Sequence, residues 1–513
     1  IENSSFTFAS ELADILSNEK IEKITCNAKS LYSWAFMRGV RIKGKVSDIM
    51  IAGYILNPSA SDYSPVRMAQ EYGALCPEIS EENETALKAA ALNGAWEKVI
   101  KQIEENDQIS LLYDIEMPLS KVLSSMEVTG FLVDRESIQQ YGAVLEEKIN
   151  SLVSEIYDLA GEEFNINSPK QLGTILFEKL RLPAKKKTKS GYSTNADVLE
   201  SLAPDYPIVS LILEYRTLAK LKSTYCDGLQ KCIAPDGRIH STLNQTETKT
   251  GRISSTEPNL QNIPVRTPVG RELRKFFIAK DGCVLVDADY SQIELRVLSD
   301  IANDETMISA FNNGDDIHTI TASQVFNMPV EAVTPLMRSR AKAVNFGIVY
   351  GIGAFSLAHD IGVTRAEADK YIKGYLHHFS GVDSYMKNVI ARAKEDGYVQ
   401  TLFKRRRYLP ELTASNAMIR NFGERVARNM PIQGTAADII KIAMVRVYDR
   451  LEKENLKAKL IMQIHDELIV EAPENEQKQV QKIVREEMEN ACKMKVKLTA
   501  DVHCGKSWYD AKG

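Results

Sequence analysis

The stretch Cys283-Val284-Leu285-Val286-Asp287-Ala288-Asp289-Tyr290-Ser291-Gln292-Ile293-Glu294-Leu295-Arg296-Val297-Leu298 passes from a β-rich apolar run, through two aspartates, into a run of good helix formers. A carboxylate at such a strand-to-helix junction stands at the edge of a sheet. A second run, Lys459-Leu460-Ile461-Met462-Gln463-Ile464, leads into His465-Asp466-Glu467 and returns through Leu468-Ile469-Val470-Glu471, the pattern of a hairpin with acids at its tip. Two strands of one sheet can then present Asp289 and Asp466 side by side. Carboxylates this close repel, and one takes up a proton unless a cation sits between them. Oxygen-only ligands favour Mg²⁺, and two such ions about 3.5–4 Å apart activate an attacking hydroxyl and stabilise a leaving phosphate oxygen. Taken singly, either aspartate is an ordinary surface acid; the sequence around the pair decides between the readings.

Outward from this pair, Arg338, Lys342, Phe346 and Tyr350 recur at intervals of four, so on a helix they form one slowly drifting stripe. Two cations and two aromatic rings on one face suit a nucleoside triphosphate, with the cations taking phosphates and the rings stacking on base and sugar. A core-packing helix with snorkelling cations would show the same spacing in isolation.

The chain has 513 residues, more than one core serves, which predicts roughly three to four domains. With 44% hydrophobic and 26% charged residues and no apolar run near the ~20 needed to span a bilayer, the composition is that of a soluble globular protein without a membrane role. Seven cysteines without a C-x-x-C pair or signal peptide predict reduced cytoplasmic thiols, with neither zinc nor disulfides. The opening Ile1-Glu2, lacking Met, reads as a fragment with a segment missing upstream. A net charge of -5 argues superficially against a nucleic-acid partner. Charge is local, however: Arg181, Lys185, Lys186, Lys187 and Lys189 form one basic cluster and Lys404, Arg405, Arg406 and Arg407 another, while acids crowd 78–84 and 104–107.

Residues 1–112 mix short apolar runs (50–56) with helical stretches (84–105) and read as a small α/β domain. From 117 to 225 the pattern is helical: Leu119, Val122, Leu123 and Met126 mark one face, a long amphipathic stretch covers 136–159, and Ser168-Pro169 starts another helix. Residues 184–192 read as an exposed Lys- and Gly-bearing loop, and 301–393 as a helical block. No repeat or low-complexity segment is present.

The strings Asp289-Tyr290-Ser291-Gln292-Ile293-Glu294-Leu295-Arg296 and Gln463-Ile464-His465-Asp466-Glu467 resemble motifs A and C of the family A DNA polymerases, bacterial large-fragment type. Arg338-Ser339-Arg340-Ala341-Lys342-Ala343-Val344-Asn345-Phe346-Gly347-Ile348-Val349-Tyr350-Gly351 resembles motif B; the strings at 250–262, 316–319 and 425–438 fit as well. The resemblance runs from about Glu116 to Asp510. It implies an α/β multi-domain right hand: a 3′-5′ exonuclease-like domain at 1–112, thumb at 113–238, palm at 239–298 and 424–513, and fingers at 299–423.

The implied activity is template-directed, DNA-dependent DNA synthesis in replication and repair, by a cytoplasmic, nucleoid-associated monomer. Primer-template DNA and deoxynucleoside triphosphates are the expected partners, and two Mg²⁺ the cofactors, with Mn²⁺ able to substitute. By the same resemblance the metals are held by Asp289, Asp466 and the Tyr290 backbone carbonyl, and more weakly by Glu467. Arg338, Lys342 and His318 take the triphosphate, Lys342 also as general acid toward pyrophosphate. Phe346, Tyr350, Gln292 and Glu294 complete the nucleotide site, Glu294 as the steric gate beneath the sugar. Arg252, Asn259, Gln261, Asn262, Arg425, Asn429, Gln433, Gln463, His465 and Lys222 contact DNA, several of them donors to minor-groove acceptors common to every base pair.

Three other readings stay open. A single-subunit RNA polymerase shares the two aspartates and the cationic helix, but Glu294 and its string speak against it. A dead DNA-binding scaffold predicts loss of an aspartate or of Lys342, and all are present. A proofreading nuclease depends on residues 1–112, where Asn27-Ala28-Lys29-Ser30-Leu31 carries Leu31 in place of the family's metal-binding Asp, and where no Tyr has an Asp four positions later. Proofreading is therefore expected to be absent.

Overall fold

The apolar run that opens at Cys283 is covered on both sides, which places it in the middle of a sheet. The computed structural model describes residues 6–74, 84–184, 187–188, 191–263 and 268–512. Strands β1 (Cys283–Tyr290), β2 (Lys459–Ile464), β3 (Glu467–Pro473) and β4 (Ala500–Gly505) form an antiparallel four-stranded sheet in the order β2-β3-β1-β4. Side chains alternate across it: Val284, Val286 and Ala288 enter one core, while Leu285 enters a second, together with Ile461, Ile469 and Trp508. Asp287 and Asp289 share the parity of Leu285, so the sheet delivers both acids to one face.

The helices that position the site are α1 (Ala28–Met37), α2 (Met117–Thr129), α3 (Ile293–Ile301), α4 (Ile317–Phe326), α5 (Pro335–Val349), α6 (Ala417–Lys453) and α7 (Trp508–Ala511). Their starts follow from sequence. Asp316 caps α4 by accepting from the His318 and Thr319 amides at 2.9 and 3.3 Å, and Thr334 with Pro335 starts α5. Helix α6 runs for 37 residues through Pro431, which is buried inside it.

Residues 6–74 and 84–112 surround their own core of Ile49, Tyr54, Ile55, Trp96, Val99 and Ile103, beside a short parallel pair, Lys23–Thr25 with Val46–Asp48. The apolar run 50–56 lies in the helix Ile49–Leu56, whose residues are almost all buried. A run hidden on every side shows neither helical nor strand periodicity. The amphipathic stretch 136–159 is the helix Arg135–Ala160, and Ser168 caps the next helix as expected. In the basic loop Lys187–Thr188 pairs with Gly191–Tyr192; Lys185, Lys186 and Lys189 lie outside the described residues, as do Cys76 and most of the acids of 78–84. Cysteines 26, 226, 232, 283, 492 and 504 are free thiols. Among the described residues no helix is long and apolar enough to cross a membrane.

A buried ionic junction locks these parts together. Lys441 Nζ donates to Glu116 at 2.6 Å, Arg405 Nε donates to Asp438 at 2.9 Å, and Arg405 also bonds Glu116. Thr401 Oγ1 donates to Asp438 at 2.8 Å and Gln245 Nε2 to the Glu116 carbonyl at 2.8 Å. Burial alone would raise the Glu116 pKa; the charges of Lys441 and Arg405 outweigh it and hold the carboxyl down at about 2. Gly251, at φ +87°, passes so close that a Cβ there would lie 2.5 Å from Arg405 Nε.

Candidate active site

The register of the sheet sets Glu467 opposite Asp289, so the turn carrying Asp466 abuts the end of β1. The Tyr290 amide donates to the Asp466 carbonyl at 3.1 Å, and the Tyr290 hydroxyl is anchored on the Met488 carbonyl at 2.7 Å. Asp289 and Asp466 are thereby brought to one corner. Beside each stands a non-glycine residue in the left-handed region, Gln292 at φ +53° and His465 at φ +51°. Such conformations cost about 1–3 kcal/mol and gather at functional sites.

The corner is overloaded with negative charge. Asp287 is 2% exposed, and its Oδ2 has no partner among the described residues. Burial, and then the charge of Glu467, push it up to about 9. Burial and then Glu294 push Asp466 up to about 7. The cation that reaches these acids is Lys512, whose Nζ lies 2.8 Å from Asp289 Oδ2 and 4.0 Å from Asp287 Oδ1 and also bonds Glu467. Trp508 Nε1 donates to Glu467 at 2.7 Å, so both Glu467 oxygens are taken by protein groups. Among the described residues no three His, Cys, Asp or Glu side chains converge as a ready-made metal cage. An all-oxygen donor set with an orphaned buried oxygen and too few cations nonetheless fits a hard divalent ion.

Across from the acids, α5 carries the stripe. Arg338 and Lys342 are exposed at its outer end. Arg338 Nε donates to Asp316 at 2.5 Å, and Lys342 Nζ lies 6.0 Å from the centre of the Phe346 ring. That ring packs 5.9 Å from the ring of His318. Burial lowers the His318 pKa to about 4 against the pull of Asp316, and Arg338 and Lys342 push the same way as burial. In the protein by itself the ring is neutral near pH 7, so it can meet a phosphate as a hydrogen-bond donor. At the foot of the stripe the Tyr350 hydroxyl donates to Glu294 at 3.0 Å, and Arg252 holds the other Glu294 oxygen at 2.6 Å. Glu294 is thus pinned on both oxygens.

Seven of the ten expected DNA contacts fall into two sets. Arg252, Gln261, Gln463 and His465 line a small cleft with Asp466, and Arg425, Asn429 and Gln433 follow one another at four-residue intervals along α6. Among the described residues Gln292, Asn429 and Gln463 each keep a buried side-chain oxygen without a partner, which leaves acceptors unspent in this region. Asn259 caps the turn Leu260–Asn262, the Gln261 amide donates to the Ile253 carbonyl, and the Asn262 carbonyl takes the Tyr225 hydroxyl. Lys222 stands apart, paired with Asp227 and Glu146 at 3.1 and 3.8 Å.

Sequence reasoning passed over several residues of this site. Asp287 was within reach, since strand alternation puts it on the face of Asp289. Lys512, Trp508 and Asn345 had no local signal, because each meets its partner only through the fold.

Known proteins resemble this arrangement. The family model described as DNA polymerase family A matches residues 135–510, and that of the DNA polymerase I ribonuclease H-like domain matches residues 1–83. DNA polymerase I of Geobacillus stearothermophilus is 48% identical over 93% of this chain and 56% of its own length. That of Caldicellulosiruptor bescii is 46% identical over 98% of this chain and 59% of its own length. The chain therefore spans somewhat over half the length of the curated relatives it matches. Among solved structures, the POL domain of Pol1 from M. smegmatis in complex with DNA primer-template and dNTP is similar at TM-score 0.93 and 38% identity, over 99% of this chain and 90% of that one. With its polymerase fold and its exonuclease-like N-terminal region, this chain belongs to DNA polymerase family A.

Proposed function

We propose that the chain is a template-directed, DNA-dependent DNA polymerase that adds deoxynucleotides to a primer 3′ end by two-metal nucleotidyl transfer. The observation that carries the reading is the juxtaposition of Asp289 and Asp466 at one sheet corner, with an excess of acids there. Asp289 and Asp466, with the Tyr290 carbonyl and more weakly Glu467, are the proposed holders of two Mg²⁺, with Mn²⁺ as a substitute. Bound there, the ions would supply activation of the primer hydroxyl and stabilisation of the leaving phosphate oxygen. Arg338 and Lys342, exposed on α5, neutralise the triphosphate, and Lys342 delivers the proton to the departing pyrophosphate. Phe346 lies against the sugar. Glu294, held by Arg252 and Tyr350, occupies the place a 2′-hydroxyl would need. The residues Arg425, Asn429 and Gln433 follow the duplex beside Gln463 and His465.

The domain limits 1–112, 113–238, 239–298, 299–423 and 424–513 remain our proposal, as does a monomer acting at the nucleoid of a bacterial cytoplasm in replication and repair. Primer extension with single labelled nucleotides tests the activity: templated, Mg²⁺-dependent addition is expected, and untemplated addition, or preference for ribonucleotides, would overturn it.

We also propose that the N-terminal domain does not proofread. Leu31 stands in α1 where the family's acid would be, and α1 is spent on docking: Lys29 Nζ donates to Glu127 at 2.7 Å and Ser33 meets Ser124 at 2.8 Å on α2. Mg²⁺-dependent shortening of a mismatched 3′ end that survives mutation of Asp289 would refute this.

A further inference from the structure

We propose that Asn345 is a positioning residue that fixes which nitrogen of His318 carries the proton, so that Nε2–H is offered to the triphosphate of the incoming nucleotide. The inference rests on the polymerase reading above and adds to it a residue that need not touch the nucleotide.

Asn345 is completely buried on α5. A buried side-chain amide is costly unless its groups are partnered. Here Thr321 Oγ1 donates to Asn345 Oδ1 at 3.1 Å, and Asn345 Nδ2 faces His318 Nδ1 at 2.8 Å. In this orientation Asn345 Oδ1 accepts from the hydroxyl and Nδ2 presents N–H to the ring. A donor facing Nδ1 requires a lone pair there, so a neutral imidazole must carry its hydrogen on Nε2.

Three further observations agree. The ring is held neutral by burial, so tautomer rather than charge decides what it shows a phosphate. Among the described residues the hydrogen bond of the ring is made at Nδ1, and none reaches Nε2. Phe346, next in sequence to Asn345, packs on the same ring at 5.9 Å, so consecutive residues of α5 fix the tautomer and the plane of His318. With the proton on Nδ1 instead, Nε2 would turn a lone pair toward phosphate oxygens, exchanging an attraction for a repulsion.

The test combines nuclear magnetic resonance of ¹⁵N-histidine-labelled full chain with nucleotide kinetics. Wild type should show an unprotonated Nδ1 and a protonated Nε2 for His318, assigned by comparison with His318→Ala. Asn345→Leu should raise the nucleotide KM about 3- to 10-fold, the worth of one net hydrogen bond, with kcat little changed. In a His318→Ala background Asn345→Leu should add nothing. Should Asn345→Leu not fold, Thr321→Val, which frees the amide to turn, should move KM the same way by about 2- to 3-fold, a fraction of one hydrogen bond. A proton on Nδ1 in wild type, or an Asn345→Leu or Thr321→Val effect that persists without His318, overturns the proposal while leaving the polymerase reading intact. If His318→Ala leaves KM unchanged although Nε2–H is seen, the nucleotide-binding role of His318 falls, and the positioning role with it.

Discussion

Two sets of buried charges lie within this molecule and behave in opposite ways. At the junction, Glu116 and Asp438 meet Arg405 and Lys441, two acids against two bases. At the sheet corner, among the described residues, Asp287, Asp289 and Glu467 share one lysine, Lys512, and Asp466 shares Arg252 with Glu294. Glu116, fully buried, is held down at about 2, whereas at the corner, where the Asp289 side chain stays 43% exposed, Asp466 rises to about 7 and Asp287 is pushed up while its neighbour Glu467 is held down. Burial pushes the carboxyls of Glu116, Asp466 and Asp287 upward, and the sign of the neighbouring charges decides the outcome. A balanced set holds parts together, and an unbalanced one is a standing cost that makes sense where cations come and go.

Exchanging the two sets by mutation is the sharpest way to break this contrast. Asp289→Ala or Asp466→Ala should cut primer extension by roughly 10³-fold or more, ~4 kcal/mol of barrier, with primer-template affinity nearly unchanged because DNA is held mainly by Lys and Arg. Unfolding of the metal-free Asp466→Ala variant should need no less denaturant than wild type, since a carboxyl crowded by Glu294 and Asp289 has gone. Retention of more than about a tenth of the turnover, a loss under ~1.4 kcal/mol, would remove that aspartate from the metal site.

Glu116→Gln should do the reverse, costing roughly 3–5 kcal/mol of stability in denaturant titration while the folded fraction keeps its turnover. Because the Glu116 pKa is lowered on folding, its contribution is fully present above the ordinary value of 4.5 and is lost as pH falls toward about 2. The variant should lack that acid-linked loss; an unaltered acid profile would mean that the junction is not an ionic lock.

Phe346→Tyr alters neither set but probes the face that the acids look onto. A dideoxynucleotide lacks the 3′-hydroxyl that bonds its own phosphate tail, and a phenolic hydroxyl at 346 replaces it. The ratio of dideoxy to deoxy incorporation should rise about 10- to 100-fold, ~1.5–3 kcal/mol. A rise below about tenfold would show that Phe346 does not face the sugar and would require redrawing the stripe from Arg338 to Tyr350.

Glu294 lies between the two extremes, one acid matched by one base, Arg252. Glu294→Ala should raise ribonucleotide relative to deoxynucleotide incorporation by about 5- to 10-fold, ~1–1.4 kcal/mol. An unchanged ratio would take the gate away from it.

How much was legible in the sequence tracks the distance over which the physics acts. The strand into Asp289, the hairpin around Asp466 and the stripe of α5 are local patterns, and each folded as its periodicity required. Ser168 with Pro169 announced a helix start for the same reason. The wholly apolar run 50–56 offered no period to read. Pro431 would ordinarily argue for a helix boundary, but tertiary burial carries α6 through it. The contacts of Lys512 with Asp289, of Lys441 with Glu116 and of Asn345 with His318 span 223, 325 and 27 residues. No window of sequence contains such pairs, so only the fold could reveal the charge imbalance at one site and the balance at the other.

Helix α6 sets a limit on how this chain can change. The row Arg425, Asn429 and Gln433 and the junction residues Asp438 and Lys441 ride on one continuous rod of 37 residues. Because each residue advances the rod by about 100° and 1.5 Å, one amino acid added or removed between Gln433 and Asp438 would swing the polar row a quarter-turn or more away from its cleft, or tear the junction from its partners. Side chains along this segment can be exchanged one at a time, but its residue count cannot drift. Among diverged copies of this gene, gaps should gather in the loops and skip the interval from 433 to 438.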